Sequence, residues 1–289
     1  MFRSITDGVK HLLIINVIMF GATMLISPEM MYSKFGLFFP ENNTFGIWQI
    51  FTHMFMHGGL SHILFNMFAL YMFGTAVEQV YGTNKFLLLY FSSGLGAALI
   101  ALLFSYYNFY SILDVLVSSD INKSEILDTL NQGKYNTGWL SVINEVDLNT
   151  FISAFNTSMV GASGAIFGIL VAFGYLFPET KLTFFIGLLL ALLIEPYLPI
   201  PLFSSYLLLL VLYFTRTINI PIKIFIPITL SAKYFIPGII LLDLFSFATG
   251  VSIFSPSNTA YIAHLGGALT GFLVIYYWKK NQFNSNRWD

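Results

Sequence analysis

Residues 58–77 read GGLSHILFNMFALYMFGTAV and carry no Asp, Glu, Lys or Arg. A helix needs ~20 mostly apolar residues to cross the hydrocarbon layer of a bilayer, and this run has that length. It is not uniformly apolar. His62 and Asn66 stand four positions apart and therefore share one helical face. A polar side chain inside a span costs free energy, so each one calls for a reason. A membrane helix with a two-residue polar face is the element from which the rest of the chain is read.

Composition extends that reading to the whole chain. Of 289 residues, 56% are hydrophobic, 18% aromatic and 9% charged, whereas about 25% are charged in an ordinary soluble domain. Disorder needs the opposite balance. The net charge of −1 gives no electrostatic case for nucleic acid. The absence of cysteine excludes disulfides, thiolate metal sites and cysteine nucleophiles. The expected fold class is an all-α polytopic membrane protein, with residues 1–289 forming a single membrane domain.

Charge-free runs place six core spans at roughly 11–27, 60–80, 85–106, 161–178, 234–250 and 258–278. The first is read as a retained span and not as a cleaved leader, because Pro28, Glu29 and Met30 follow it in place of small residues. Two insertions interrupt the pattern. Residues 107–158 hold two lysines against six acids, a net −4 that leaves +3 for the rest. Basic residues mark the cytoplasmic ends of spans. This segment is therefore expected to face outward, with short surface helices at 124–130 and 142–154 and both chain termini cytoplasmic. The second insertion, about 182–216, has two apolar arms around Glu195-Pro196-Tyr197-Leu198-Pro199. It is read as a helical hairpin, spanning or re-entrant, which would bring the total to about eight membrane segments.

Three groups could carry chemistry. Gly161-Ala162-Ser163-Gly164 puts a serine among small residues at the start of the fourth span, where free helix N–H groups could face an oxyanion. The same spacing, with Gly168, also suits close helix packing. His264, in Ala263-His264-Leu265-Gly266-Gly267, is a base for a serine or a buried histidine bonded to a carbonyl. Gly267 and Gly271 lie on about its face and would let this span approach the Gly164/Gly168 face. His62 and Asn66 are uncharged donors suited to an oxyanion hole or to interhelical hydrogen bonds. A metal cluster of His53, His57 and His62 is the competing reading. It has no H-E-x-x-H and no adjacent carboxylate, so neither a metal nor another cofactor is expected. Asp243, in Leu241-Leu242-Asp243-Leu244, is an acid inside an expected span and reads as a proton relay or a buried structural bond.

Taken together, FTHMFMHGGLSHILFNMFALYMFGTAVEQVYG (51–82), GASGAIFG (161–168) and AHLGGALTGF (263–272) resemble the rhomboid intramembrane serine proteases. The resemblance leaves 107–158 and the 182–216 insertion uncovered. It implies a six-helix core, Ser163 as nucleophile and His264 as its base in a dyad without a carboxylate. His62, Asn66 and the Ser163 N–H would hold the oxyanion. Gly161, Gly164, Phe167 and Gly267 would support the site. His57 and Glu78 would be structural. The chain departs from the family pattern at Gln49, where Arg often follows the tryptophan, and at Phe167, where Tyr is common. The first change is expected to loosen the outer loop. Phe167, one turn from Ser163, is still expected to stack on His264. The implied function is a serine-type endopeptidase cleaving transmembrane segments of membrane proteins in the lipid bilayer, in a bacterial inner membrane. The alternative is a catalytically silent relative that binds membrane-protein clients. A transporter would call for internal repeats, and the sequence has none.

Overall fold

The computed structural model describes residues 4–185, 227–249 and 258–285. The molecule is mostly helical, and among the described residues five helices are long and apolar enough to cross a membrane. The protein is an integral membrane protein. The first span is α1 (Asp7–Leu25), followed by the short α2 (Pro28–Phe35) and α3 (Gln49–Thr52). Ser27 accepts a hydrogen bond from the Met30 N–H, and Pro28 opens α2 with φ already set. The second span runs from α4 (Leu60–Ala69) through a π-type turn at Leu70–Gly74 into α5 (Thr75–Tyr81). Gly82, at φ +75°, ends it and allows the reversal into α6 (Thr83–Ser118).

At 36 residues, α6 is about 54 Å long at ~1.5 Å per residue, well beyond a ~30 Å apolar layer. The sequence boundary at 107 therefore falls inside a continuous helix. Phe109, Ile112, Leu113 and Leu116 recur at helical spacing on its C-terminal part. They bury against α7 (Lys123–Asn131), α8 (Glu145–Asn156) and Phe39. The acidic segment is thus not a loop but a cap with its own small core. Its two expected helices are present, started by Asn122 and Asn144 as N-caps.

The fourth span, α9 (Ser163–Leu176), has 14 residues and reaches only about 21 Å. It is buried on nearly every side, as a helix without a polar face must be. After it, β1 (Lys181–Phe185) pairs antiparallel with β2 (Pro227–Ser231), with Lys181 opposite Ser231 and Thr183 opposite Thr229. This corrects the start of the expected hairpin, because 182–185 form a strand and not a helical arm. Thr, Phe and Ile suit a pleated ladder, and a partner strand is present. The remainder, 186–216, lies outside the described residues. The last two spans are α10 (Ala232–Thr249) and α11 (Asn258–Ser285).

Glycines bring α11 and α9 together. A Cβ at Gly267 would overlap the Gly164 carbonyl, and one at Gly271 would lie 2.5 Å from the Gly168 Cα. Small residues permit such backbone contact in membranes, where close packing replaces a hydrophobic driving force. At the other end of the core, Glu78 accepts from the Thr6 and Thr83 hydroxyls and from the Gly8 and Val9 N–H groups. Two of those N–H groups belong to the first turn of α1 and have no intrahelical acceptor. The structural role expected of Glu78 is thus an N-terminal cap reaching in from another span.

Two stability predictions follow from these contacts. Gly21 in α1 has open space where a Cβ would stand, so Gly21→Ala should be neutral or raise the thermal midpoint through helix propensity. Gly267→Ala should lower stability by about 1–3 kcal/mol despite the same propensity gain, because backbone atoms cannot rotate aside. Glu78→Ala should cost roughly 2 kcal/mol or more by stranding buried donors. Thermal unfolding in detergent reads all three, and equal midpoints for the two glycine variants would refute the first pair.

Candidate active site

Gly161 and Ala162 lead into α9. The Gly161 N–H donates to the His53 carbonyl at 2.9 Å, and its φ of +124° is a conformation L side chains rarely adopt. A Cβ there would also stand 2.9 Å from His62 Nε2 and 3.7 Å from Ser163 Oγ. The glycine is needed both for backbone shape and for the approach of two polar side chains. Ser163 then opens the helix, so the first-turn N–H groups of α9 have no intrahelical acceptor.

His264 comes from α11. Its Nε2 lies 2.8 Å from Ser163 Oγ, and its ring stacks on Phe167 at 4.3 Å between centroids and 9° between planes. Phe167 is one helical turn beyond Ser163, which is how a single helix supplies both contacts. The stacking expected of Phe167 is therefore present. His264 Nδ1 lies 2.8 Å from Asp243 Oδ2 on α10. This corrects the picture of a dyad without a carboxylate. A carboxylate accepts, so Nδ1 donates, and Nε2 is left to accept the Ser163 hydroxyl proton.

His62 and Asn66 occupy one face of α4 as their spacing requires. The Gly58 N–H meets His62 Nδ1 at 3.3 Å, which makes Nδ1 the acceptor and puts the ring proton on Nε2, facing the Gly161–Ser163 turn. Asn66 is buried, and its Nδ2 has no hydrogen-bond partner. Buried amide donors are normally satisfied, so this one is free for an acceptor that arrives from outside. His57 is fully buried and sets its ring edge-on to His62 at 5.0 Å. Its carbonyl accepts from the Tyr32 hydroxyl at 2.9 Å. His53 bonds the Gln49 carbonyl through Nδ1. Among the described residues, no group of three or more His, Cys, Asp or Glu is placed to hold a metal ion.

Gln49 overturns the expectation of a loosened loop. It is fully buried, its Nε2 donates to the Ser33 and Thr44 carbonyls at 2.9 Å, and its Oε1 accepts from the Phe38 N–H at 3.2 Å. A neutral amide has both donors and an acceptor, and here three backbone groups use them. Sequence reading also missed the meeting of Asp243 with His264. The signal was present in the position of Asp243, an acid in an apolar span that needs a partner.

Burial holds His53 down to about 4 and His57 down to about 3, against the ordinary 6.5. Both stay neutral in the folded protein while the unfolded chain takes up protons below about 6.5. Their contribution to stability is complete above that pH and is lost as pH falls toward 4. The thermal midpoint in detergent should therefore drop between pH 7 and pH 5, before most carboxylates titrate. A flat profile in that window would contradict the burial of these two rings.

The rhomboid domain model matches residues 44–116, which contain His62 and Asn66. Rhomboid protease GluP of Bacillus subtilis (strain 168) is 40% identical over 60 residues, covering 21% of this chain and 12% of that protein. Rhomboid protease AarA of Providencia stuartii is 30% identical over 125 residues, 43% of this chain and 32% of that protein. Rhomboid protease GlpG of Salmonella newport (strain SL254) is 44% identical over 45 residues, 16% of each. The chain thus spans about a third or less of the length of these curated relatives.

Proposed function

The chain belongs to the rhomboid family, and from that premise we propose that it is an intramembrane serine endopeptidase that cleaves transmembrane segments of other membrane proteins. The observation that carries the proposal is the 2.8 Å contact of Ser163 Oγ with His264 Nε2 at the start of a helix too short to reach both faces of the membrane. The far end of α9 is fixed near charge, by the Lys233–Glu179 pair and by Lys279 over the Tyr175 ring. The Ser163 end then stops about 10 Å short of the opposite surface.

In this reading His264 takes the Ser163 hydroxyl proton as Oγ attacks a peptide carbonyl carbon. The oxyanion settles among Asn66 Nδ2, His62 Nε2–H and the Ser163 N–H, donors already in place before charge develops. His264 returns the proton to the departing amine as the C–N bond breaks. Water, deprotonated by His264, then hydrolyses the acyl-Ser163 ester. A substrate helix must first unwind, because its carbonyls are otherwise occupied by its own N–H groups. Segments with helix-breaking residues near the outer face fit that need. By the positive-inside rule the termini are cytoplasmic and the cap outward, and a bacterial inner membrane suits the bacterial relatives.

A fluorophosphonate probe tests the reading without a known substrate. Full-length protein in detergent should be labelled, and Ser163→Ala and His264→Ala should each lose label by about 100-fold or more. Absence of label in folded wild-type protein, or label that survives Ser163→Ala, would refute the protease reading and favour a client-binding role.

A further inference from the structure

Asp243 sits on α10, 1% exposed, and its hydrogen-bond partner, His264, is on a different helix. Burying a carboxylate in an apolar span is costly, and a helix-to-helix tie needs only a serine or an asparagine. What an anion supplies and a neutral group does not is a fixed acceptor and a negative charge beside the imidazole. We propose that Asp243 is a positioning residue for the reaction, locking His264 in the Nδ1–H tautomer and stabilising the imidazolium that forms when Ser163 gives up its proton. The proposal rests on the protease reading above.

The geometry gives His264 three independent restraints. Asp243 Oδ2 meets Nδ1 at 2.8 Å, Ser163 Oγ meets Nε2 at 2.8 Å, and Phe167 lies flat against the ring face. Phe167 fixes the ring plane but does not distinguish one nitrogen from the other. Ser163, able to donate or to accept, does not set the tautomer either. Only the carboxylate does so, because it accepts and never donates when ionised. Asp243 does not take the proton itself. The proton moves from Ser163 to Nε2, and the positive ring then faces a negative oxygen. Asp243 Oδ1 and Ser246 Oγ, one turn apart on α10, have no hydrogen-bond partner. The carboxylate is therefore held chiefly through His264, which is how a group placed for the imidazole would be held.

Two variants of the full chain in detergent separate positioning from packing. Asp243→Asn keeps shape but removes the charge and the acceptor-only character, because an amide can turn its NH2 as readily as its oxygen to the ring. Asp243→Leu removes the acceptor as well. Fluorophosphonate labelling rates should fall about 10-fold or more in the first and about 100-fold or more in the second, with thermal midpoints showing the protein folded. The second readout is the nitrogen-15 spectrum of histidine-labelled protein, with the His264 signals identified by their loss in His264→Gln. Wild type should show Nδ1 protonated and Nε2 bare, and both variants should lose that preference.

Labelling within about twofold of wild type in both variants would overturn the proposal, as would a His264 tautomer that is unchanged by them. If Asp243→Leu does not fold, Asp243→Asn decides. If wild-type protein fails to label, the protease reading falls. The nitrogen-15 comparison, which needs no activity, still decides whether Asp243 sets the ring.

Discussion

The backbones of α9 and α11 touch. Gly267 lies against the Gly164 carbonyl and Gly271 against Gly168, and the placement of His264 against Ser163 and Phe167 follows from that contact. In a bilayer two apolar helices gain nothing by hiding from lipid, so only close packing holds them. Side chains of ordinary size at these positions would push α11 outward by several ångströms. His264 would then lose Ser163, and its ring would leave the face of Phe167. The tolerance for a working hydrogen bond is a few tenths of an ångström. The glycine pairs therefore set the Ser163–His264 geometry and the stability of the core through the same contact.

Around that seam, some buried polar groups are fully satisfied and others are left without a partner. Glu78 and Gln49 are saturated by backbone donors and acceptors. They tie α1 to the second span and the loop between those spans to itself. Asn66 Nδ2 has no partner, and the polar edge of His62 faces the Ser163 turn. Buried donors are costly when empty. Asn66 Nδ2 is one of several buried groups left without a partner, Tyr90, Ser93 and Thr75 among them.

Much of this was legible in the chain. Ser163, His264, His62 and Asn66 announce themselves because each lies in a short local motif within an apolar run, and helical spacing alone places Phe167 and Gly267. The cap was half legible. Tyr106, Tyr107 and Asn108 look like the end of a span, yet Phe109, Ile112, Leu113 and Leu116 continue the helical period and bury a second core. The strand at 181–185 was not legible as such, because its partner is 46 residues away across Thr183 and Thr229. Asp243 and His264 are likewise 21 residues apart and on different helices. Their pairing depends on how α10 leans on α11, which no local pattern encodes.

The strand pair bears on how the chain between α9 and α10 can vary. Closing a flexible loop costs entropy that rises only with the logarithm of its length, about 0.6 kcal/mol for each doubling. Here β1 and β2 close that loop themselves, five residues against five, before the chain reaches the core helices. The ladder insulates α9 and α10 from whatever lies between the strands. Segments of very different length could be exchanged there while Ser163 and Asp243 keep their places.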